Sequence, residues 1–208
     1  IKGHDVQLDF AENLDIDNDI NIYFMGTRPA WRKYTGNVIE IHEYQSLSVP
    51  PYSSLKDFIK KIVNQKPQGR IFLNNIVRKK LNFTDNCPYI MRDMGVDDAF
   101  FSSIKENSEN GKEYDIVYSG TIEARVGLVD MLHLLAIRNY KILVIGNIST
   151  DSQKYLESTK NVQCIGKVDY QGLPDLYSKA KYGLNYTPDI YPFNVQTSTK
   201  TLEYLASG

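Results

Sequence analysis

The chain has 208 residues, enough for one large domain or two small ones. Hydrophobic residues make up 42 % of it, which excludes a disordered chain, because that much apolar surface can build a core. Lys and Arg number 24 against 25 Asp and Glu, which excludes the strong basic field of a general nucleic-acid binder.

Cys87 and Cys164 lie far apart and outside any CxxC pattern. That argues against a zinc site or a disulfide framework and for two reduced thiols in a cytoplasmic protein. No apolar run approaches the ~20 residues that a membrane-spanning helix needs. No signal peptide is visible in a sequence that begins at Ile1.

Residues 5–10 (DVQLDF) alternate polar and apolar side chains and predict a strand. Residues 20–25 (INIYFM) form a continuous apolar run ended by Gly26, the pattern of a strand buried on both faces of a parallel sheet. Residues 37–41 (NVIEI) alternate again and place His42 and Glu43 just past a strand end, before Pro50-Pro51 breaks regular structure.

Residues 53–64 (SSLKDFIKKIVN) predict a helix capped by Ser53 or Ser54, with Leu55, Phe58, Ile59, Ile62 and Val63 on one face and Lys56, Lys60 and Lys61 off it. A strand at 69–73 and a short helix at 75–81 follow, then a strand within 89–101 with a turn at Gly95. The polar segment 105–112 (KENSENGK) reads as a linker between one domain at 1–104 and another at 113–208.

The second half alternates regularly. Strands are predicted at 115–118, 141–145, 162–165 and 183–186, with helices at 126–138, 152–158, 173–180 and 198–206. Such alternation means βαβ units and a parallel sheet, hence an α/β fold.

Ligands of open parallel sheets bind at the carboxyl ends of the strands. There Gly120, Gly146 and Gly166 each follow an apolar strand, so a ligand can approach the backbone closely, although each alone also fits an ordinary tight turn. Thr197, Ser198 and Thr199 sit where the last helix begins, a position that attracts phosphate. Lys200 in the first turn opposes the helix dipole, which is sensible beside a bound anion, and Glu203 can accept hydrogen bonds from ribose hydroxyls. A capped amphipathic helix with solvated Lys and Glu is the plain alternative.

In order, the segments SGTIEARVGL, VIG, CIGKV, LPDLYSKA, NYTP and TSTKTLEYLASG resemble the donor domain of retaining, family-four-type GT-B glycosyltransferases. Ser198, Lys200, Glu203, Tyr204, Leu205, Ala206 and Gly208 match the family's closing helix residue by residue. MGVDDAFF resembles its crossover into the donor domain, IKGHDVQL its second strand, and NVIEIHE the acceptor-domain strand whose terminal His faces the donor sugar.

The resemblance implies two Rossmann-like domains of GT-B type, the first partial, with parallel sheets flanked by helices. It implies transfer of a sugar from a UDP- or GDP-sugar to a hydroxyl acceptor, glycan or lipid-linked, with retention and without a bound metal or other cofactor. Glu203 would hold the ribose, and residues 197–199 the pyrophosphate, with Gly120, Thr121, Gly146 and Lys167 completing the donor site. His42, Arg125 and Lys200 would act on the reaction.

Some positions depart from the pattern. Thr121 stands where the family has Arg, Val126 where it has Lys, and Gln196 where it often has a second Glu, which leaves Arg125 as the substitute cation. The resemblance also leads one to expect a strand and a Gly-Gly loop before Ile1, and a further strand and helix after Gly208. A sugar-nucleotide epimerase of the same architecture, or a nucleotide-sugar-binding domain without catalysis, are the alternatives. The Lys56, Lys60 and Lys61 helix further suggests peripheral contact with an anionic membrane, against a plainly solvated helix face.

Overall fold

The computed structural model describes residues 3–14, 17–24, 28–31, 37–123, 125–191, 193–195 and 197–208, apart from 103–110. The chain divides into two compact units, residues 1–94 with 195–197, and residues 95–194 with 198–208. The expected linker at 105–112 therefore falls mostly outside the described residues, as do Gly26 and Gln196. Residues 95–102, expected with the first domain, belong to the second unit: Phe100 on α3 (Ala99–Ser102) is fully buried in that unit's core.

The first unit holds β1 (Ile20–Phe24), β2 (Ile39–Tyr44), α1 (Ser53–Val63), β3 (Gly69–Phe72), α2 (Asn75–Leu81) and β4 (Tyr89–Met91). Its four strands are parallel and ordered as in the sequence, β1-β2-β3-β4. Three expectations need correction here. Residues 5–10 form no strand: Leu8 is 87 % exposed, and an alternating pattern makes a strand only where a neighbour accepts its hydrogen bonds and covers its apolar face. Among the described residues β1 is an edge strand with Ile20, Ile22 and Phe24 exposed, so its apolar run is not enclosed on both faces. β2 starts two residues later than expected and runs through His42 and Glu43, since its register with β3 pairs His42 with Arg70 and Glu43 with Ile71.

α1 ends one residue before the predicted end and has an apolar stripe, but none of its residues is buried. Its N-cap is Tyr52 in the left-handed region, with no side-chain cap bond, in place of Ser53 or Ser54. α2 matches expectation at both ends: the Asn74 side chain accepts from Val77 N–H at 2.9 Å, a normal cap.

The second unit holds α3, β5 (Tyr114–Ser119), α4 (Leu128–Ile137), β6 (Ile142–Ile145), α5 (Thr150–Glu157), β7 (Val162–Cys164), α6 (Leu173–Tyr177), β8 (Ala180–Gly183) and α7 (Thr199–Ala206). Its sheet is parallel with order β7-β6-β5-β8. Both faces are covered, as a near-continuous apolar strand requires. Ile116, Tyr118, Ile142 and Val144 pack with Leu128, Leu132 and Ala136 of α4 and Leu156 of α5. Val117, Leu143 and Ile145 point the other way and pack with Phe100, Leu173, Tyr177 and Ala206.

The last strand lies at 180–183, three residues before the expected 183–186, because Tyr114 pairs with Ala180 and Val117 with Gly183. α6 ends correspondingly at Tyr177. The architecture is thus α/β, two parallel sheets flanked by helices and Rossmann-like in kind. No helix of the described residues is long and apolar enough to cross a membrane.

Candidate functional site

The strand order of the second unit creates one special place. From β5 the chain proceeds outward through β6 to β7, then returns to place β8 on the other side of β5. Connections on the two sides of such a reversal lead away from each other and leave a crevice at the strands' carboxyl ends. The four described strands of the first unit follow one another without a reversal.

At the carboxyl end of β5 stands Gly120, with φ +139°, and at that of β6 Gly146, with φ +138°. A Cβ on Gly146 would lie 2.1 Å from the Gly120 carbonyl oxygen, so backbone touches backbone. Gly120 N–H donates to Ile145 O at 2.9 Å, and Gly146 N–H to Gly166 O at 2.8 Å, which ties the three successive turns together. Gly166 also has positive φ, +35°, but has open space where a Cβ would point. Lys167 is exposed beside it, and Thr121 is exposed beside Gly120.

α7 lays its N-terminus over this crevice. Ser198 occupies the N-cap position, and its Oγ donates to Asn185 Oδ1 at 2.8 Å, just past β8. The Lys200 Cε lies 3.8 Å from where a Gly120 Cβ would be, just past β5. Thr199 is exposed in the first turn, while Thr197, half-buried, groups by its contacts with the first unit. One turn on, Glu203 is only 4 % exposed. Its Oε2 accepts from Lys200 Nζ at 3.0 Å and from Tyr177 Oη at 3.1 Å. Tyr177 also shares a short hydrogen bond with Ser119 Oγ. Burial pushes the Tyr177 phenol well above its ordinary range, so it remains a proton donor to Glu203.

Tyr204 fixes the helix to the sheet. Its Oη accepts from Ser119 N–H at 3.0 Å, and its ring lies where a Gly183 side chain would have to go, 2.3 Å from the nearest Cβ position. Burial pushes its phenol up to about 12. Arg125 follows Thr121 in the same turn region: its guanidinium stacks 4.9 Å over the Phe193 ring. Burial raises the Tyr118 phenol, and the charge of Arg125 acts against that rise, which puts the cation near the Tyr118–Gly120 corner.

No family model matches this sequence, and no curated protein matches it. Among solved structures, the fold is similar to that of AviGT4, described as a glycosyltransferase involved in avilamycin A biosynthesis. The TM-score is 0.57 at 15 % identity, over 92 % of this chain and 53 % of that one. The present chain spans about half the length of that structure. At this identity the likeness is one of fold.

The structure thus brings together Gly120, Thr121, Arg125, Gly146, Ser198, Thr199, Lys200 and Glu203 in the second unit. His42 is elsewhere. It sits inside β2 of the first unit, 0 % exposed, between Tyr23 and Tyr44 with both rings edge-on at 6.3 Å. Its Nε2 is 2.8 Å from Glu40 Oε1, and its buried Nδ1 has no partner. Glu40 also accepts from Arg28 Nε at 2.5 Å and Nη2 at 3.0 Å. Burial would raise the Glu40 carboxyl, but hydrogen bonds from His42 and Arg28 hold it down at about 2. As placed, His42 presents no surface to a substrate, because β2 extends past it and Tyr23 and Tyr44 enclose it.

Sequence reasoning missed Tyr177 and Asn185. The only signal for Tyr177 was its place in LPDLYSKA, and nothing in that string says which way a tyrosine on a five-residue helix faces. On α1, Lys56 is exposed beside the exposed Leu55, Phe58, Ile59 and Ile62, and its Nζ donates to Val49 O at 3.1 Å. Lys60 and Lys61 are half-buried.

Proposed function

We propose that the second unit binds a nucleoside-diphosphate sugar at the β5/β8 switch point, as part of a GT-B glycosyltransferase that acts with retention. The observation that carries this reading is the seating of the α7 N-terminus over that crevice, with Lys200 against the Gly120 turn. A diphosphate there receives the helix amides at Ser198 and Thr199, Lys200, and the cation of Arg125. Gly120 and Gly146 let it reach the backbone, and Lys167 extends the cationic rim.

Lys200 is paired with Glu203 in this structure. Arrival of a diphosphate draws Lys200 toward the phosphates and leaves the Glu203 carboxylate, still held by Tyr177, to accept the ribose hydroxyls. In the transfer step the bond from the anomeric carbon to the diphosphate oxygen breaks. The acceptor oxygen takes that place on the same face, and its proton passes to the departing phosphate. The developing charge is stabilised by cations and helix amides, without a bound metal. The likeness in fold to AviGT4 supports this architecture. We also propose that α1, with Lys56 beside exposed apolar side chains, rests on an anionic membrane that carries the acceptor.

Calorimetric titration with UDP and GDP tests the reading. Binding of one nucleotide that weakens at least tenfold in Glu203→Ala supports it. No binding by either, or binding indifferent to Glu203→Ala, sinks it. A second reading, binding without transfer, is favoured by the exposed Thr121 where the resembling family carries Arg. Transfer of radiolabelled sugar to an acceptor extract separates the two.

A further inference from the structure

A second basic site lies in the first unit, beside β3 and the start of β4. A cavity of about 730 Å³ opens there between α2 and the loop that leads into β4, lined among others by Arg70, Arg78, Lys79, Phe83, Asp85 and Tyr89. We propose that it binds the phosphate group of a small phosphomonoester with a compact ring-shaped body, Arg78 and Lys79 holding the phosphate. This inference stands apart from the nucleotide-sugar reading and does not rest on it.

Charge is the first argument. Arg70 is neutralised by Asp85, which it grips through Nη1 at 2.5 Å and Nη2 at 2.8 Å. Among the described residues Arg78 and Lys79 have no carboxylate partner, so the lining carries three cations against one carboxylate. Cys87, also in the lining, adds no negative charge, because burial raises its thiol. The surplus of two is what a phosphomonoester dianion balances, since its second proton leaves with a pKa of about 6.

Unmatched donors are the second argument. The Nε atoms of Arg70 and Arg78 are buried and lack an acceptor. A buried donor without an acceptor costs roughly 1–3 kcal/mol, which an oxyanion recovers, and the planar Arg fork suits phosphate. Shape is the third. The volume far exceeds a bare phosphate, and three of its lining residues are aromatic: Arg70 stacks 3.9 Å over Phe83 and Arg78 4.8 Å over Tyr89, with Phe72 edge-on to Tyr89 at 5.9 Å. Such walls accept the flat face of a ring.

The test is a titration of the full chain with phenyl phosphate, followed through the arginine Nε–Hε resonances. Inorganic phosphate and benzyl alcohol serve as separate arms. A saturable shift at Arg78 with phenyl phosphate is expected, weaker with inorganic phosphate and absent with benzyl alcohol. Arg78→Gln should lower affinity about tenfold, as loss of a charge-assisted contact does. Lys79→Gln, at an exposed position, should lower it about threefold. No saturable shift, or equal binding by wild type and both variants, overturns the site. Equal binding of benzyl alcohol overturns the phosphate assignment, and equal binding of inorganic phosphate overturns the ring-shaped body. Shifts confined to Arg125 place phenyl phosphate in the second unit and likewise overturn it.

Discussion

Lys200 and Glu203 lie one turn apart on α7, and the lysine Nζ is 3.0 Å from the Glu203 Oε2, whose side chain is almost wholly enclosed. The cation serves two masters in the proposed cycle, a carboxylate at rest and a diphosphate when the donor binds. Lys200→Ala should therefore cost on both counts. Leaving Glu203 buried with only Tyr177 beside it should destabilise the unit by about 2 kcal/mol, because breaking a buried pair strands a charge. Nucleotide affinity should fall at least tenfold. Urea unfolding and calorimetry read the two effects separately; unchanged stability would mean that the pair is not formed in solution.

Tyr204 ties the helix to the sheet through the Ser119 N–H at 3.0 Å and the Ser119 hydroxyl at 3.4 Å. Tyr204→Phe keeps the ring that fills the space beside Gly183 and removes only the acceptor. Ser119 is buried, so its N–H is left unmatched, at a cost of about 2 kcal/mol. A thermal melt that does not move would contradict this.

Gly146 and Gly166 offer a paired test of the βα turns. Gly146→Ala puts a methyl 2.1 Å from a backbone oxygen at φ +138° and should destabilise by about 3 kcal/mol or more. Gly166→Ala meets open space at φ +35° and should cost only about 1 kcal/mol. Equal losses for the two would show that the Gly120–Gly146 approach is not as close as described.

Acid should act on the first unit through Glu40 and Asp85. Their folded carboxyls titrate at about 2 in both cases, below the ordinary values of 4.5 and 3.8. Each lowered value means that the folded state favours the ionised form. The resulting stability is complete above the ordinary value and is lost as pH falls toward about 2. Unfolding free energy measured in urea should decline steeply over that window, and Glu40→Gln should flatten the decline.

Cys164 is pushed up to about 11 by burial first and by Glu157 second. At mildly alkaline pH its thiolate fraction is about a hundredfold below that of an ordinary cysteine, so iodoacetamide should modify it correspondingly slowly. Alkylation followed by mass spectrometry at Cys164 checks this; modification at the rate of free cysteine would refute the burial.

Much of the second unit was legible in the sequence because its cues are local. Apolar runs ended by Gly120, Gly146 and Gly166 located three strand ends, and the strand–helix alternation located α4 and α7. Cues that depend on neighbours were not legible. Residues 5–10 alternate well yet pair with no strand among the described residues, and residues 20–24 are mostly apolar yet form an edge. β8 was misplaced by three residues because both 180–183 and 183–186 suit a strand, and only pairing with β5 decides between them. Of the site, the backbone turns and α7 were readable. The Tyr177–Glu203 bond joins side chains 26 residues apart, and the enclosure of His42 depends on strand register, so neither leaves a trace in local composition.

The contact between the Gly120 oxygen and Gly146 has a consequence for how this chain can diverge. Gly146 admits no side chain, since its Cβ would meet main chain, and Gly120 at φ +139° strains any side chain placed on it, so neither position readily carries a determinant of ligand choice. Discrimination among ligands must come from what borders them: Thr121, Arg125, Lys167 and the first turn of α7. Copies of this fold that prefer different ligands should differ at those border positions while the paired glycines stay silent.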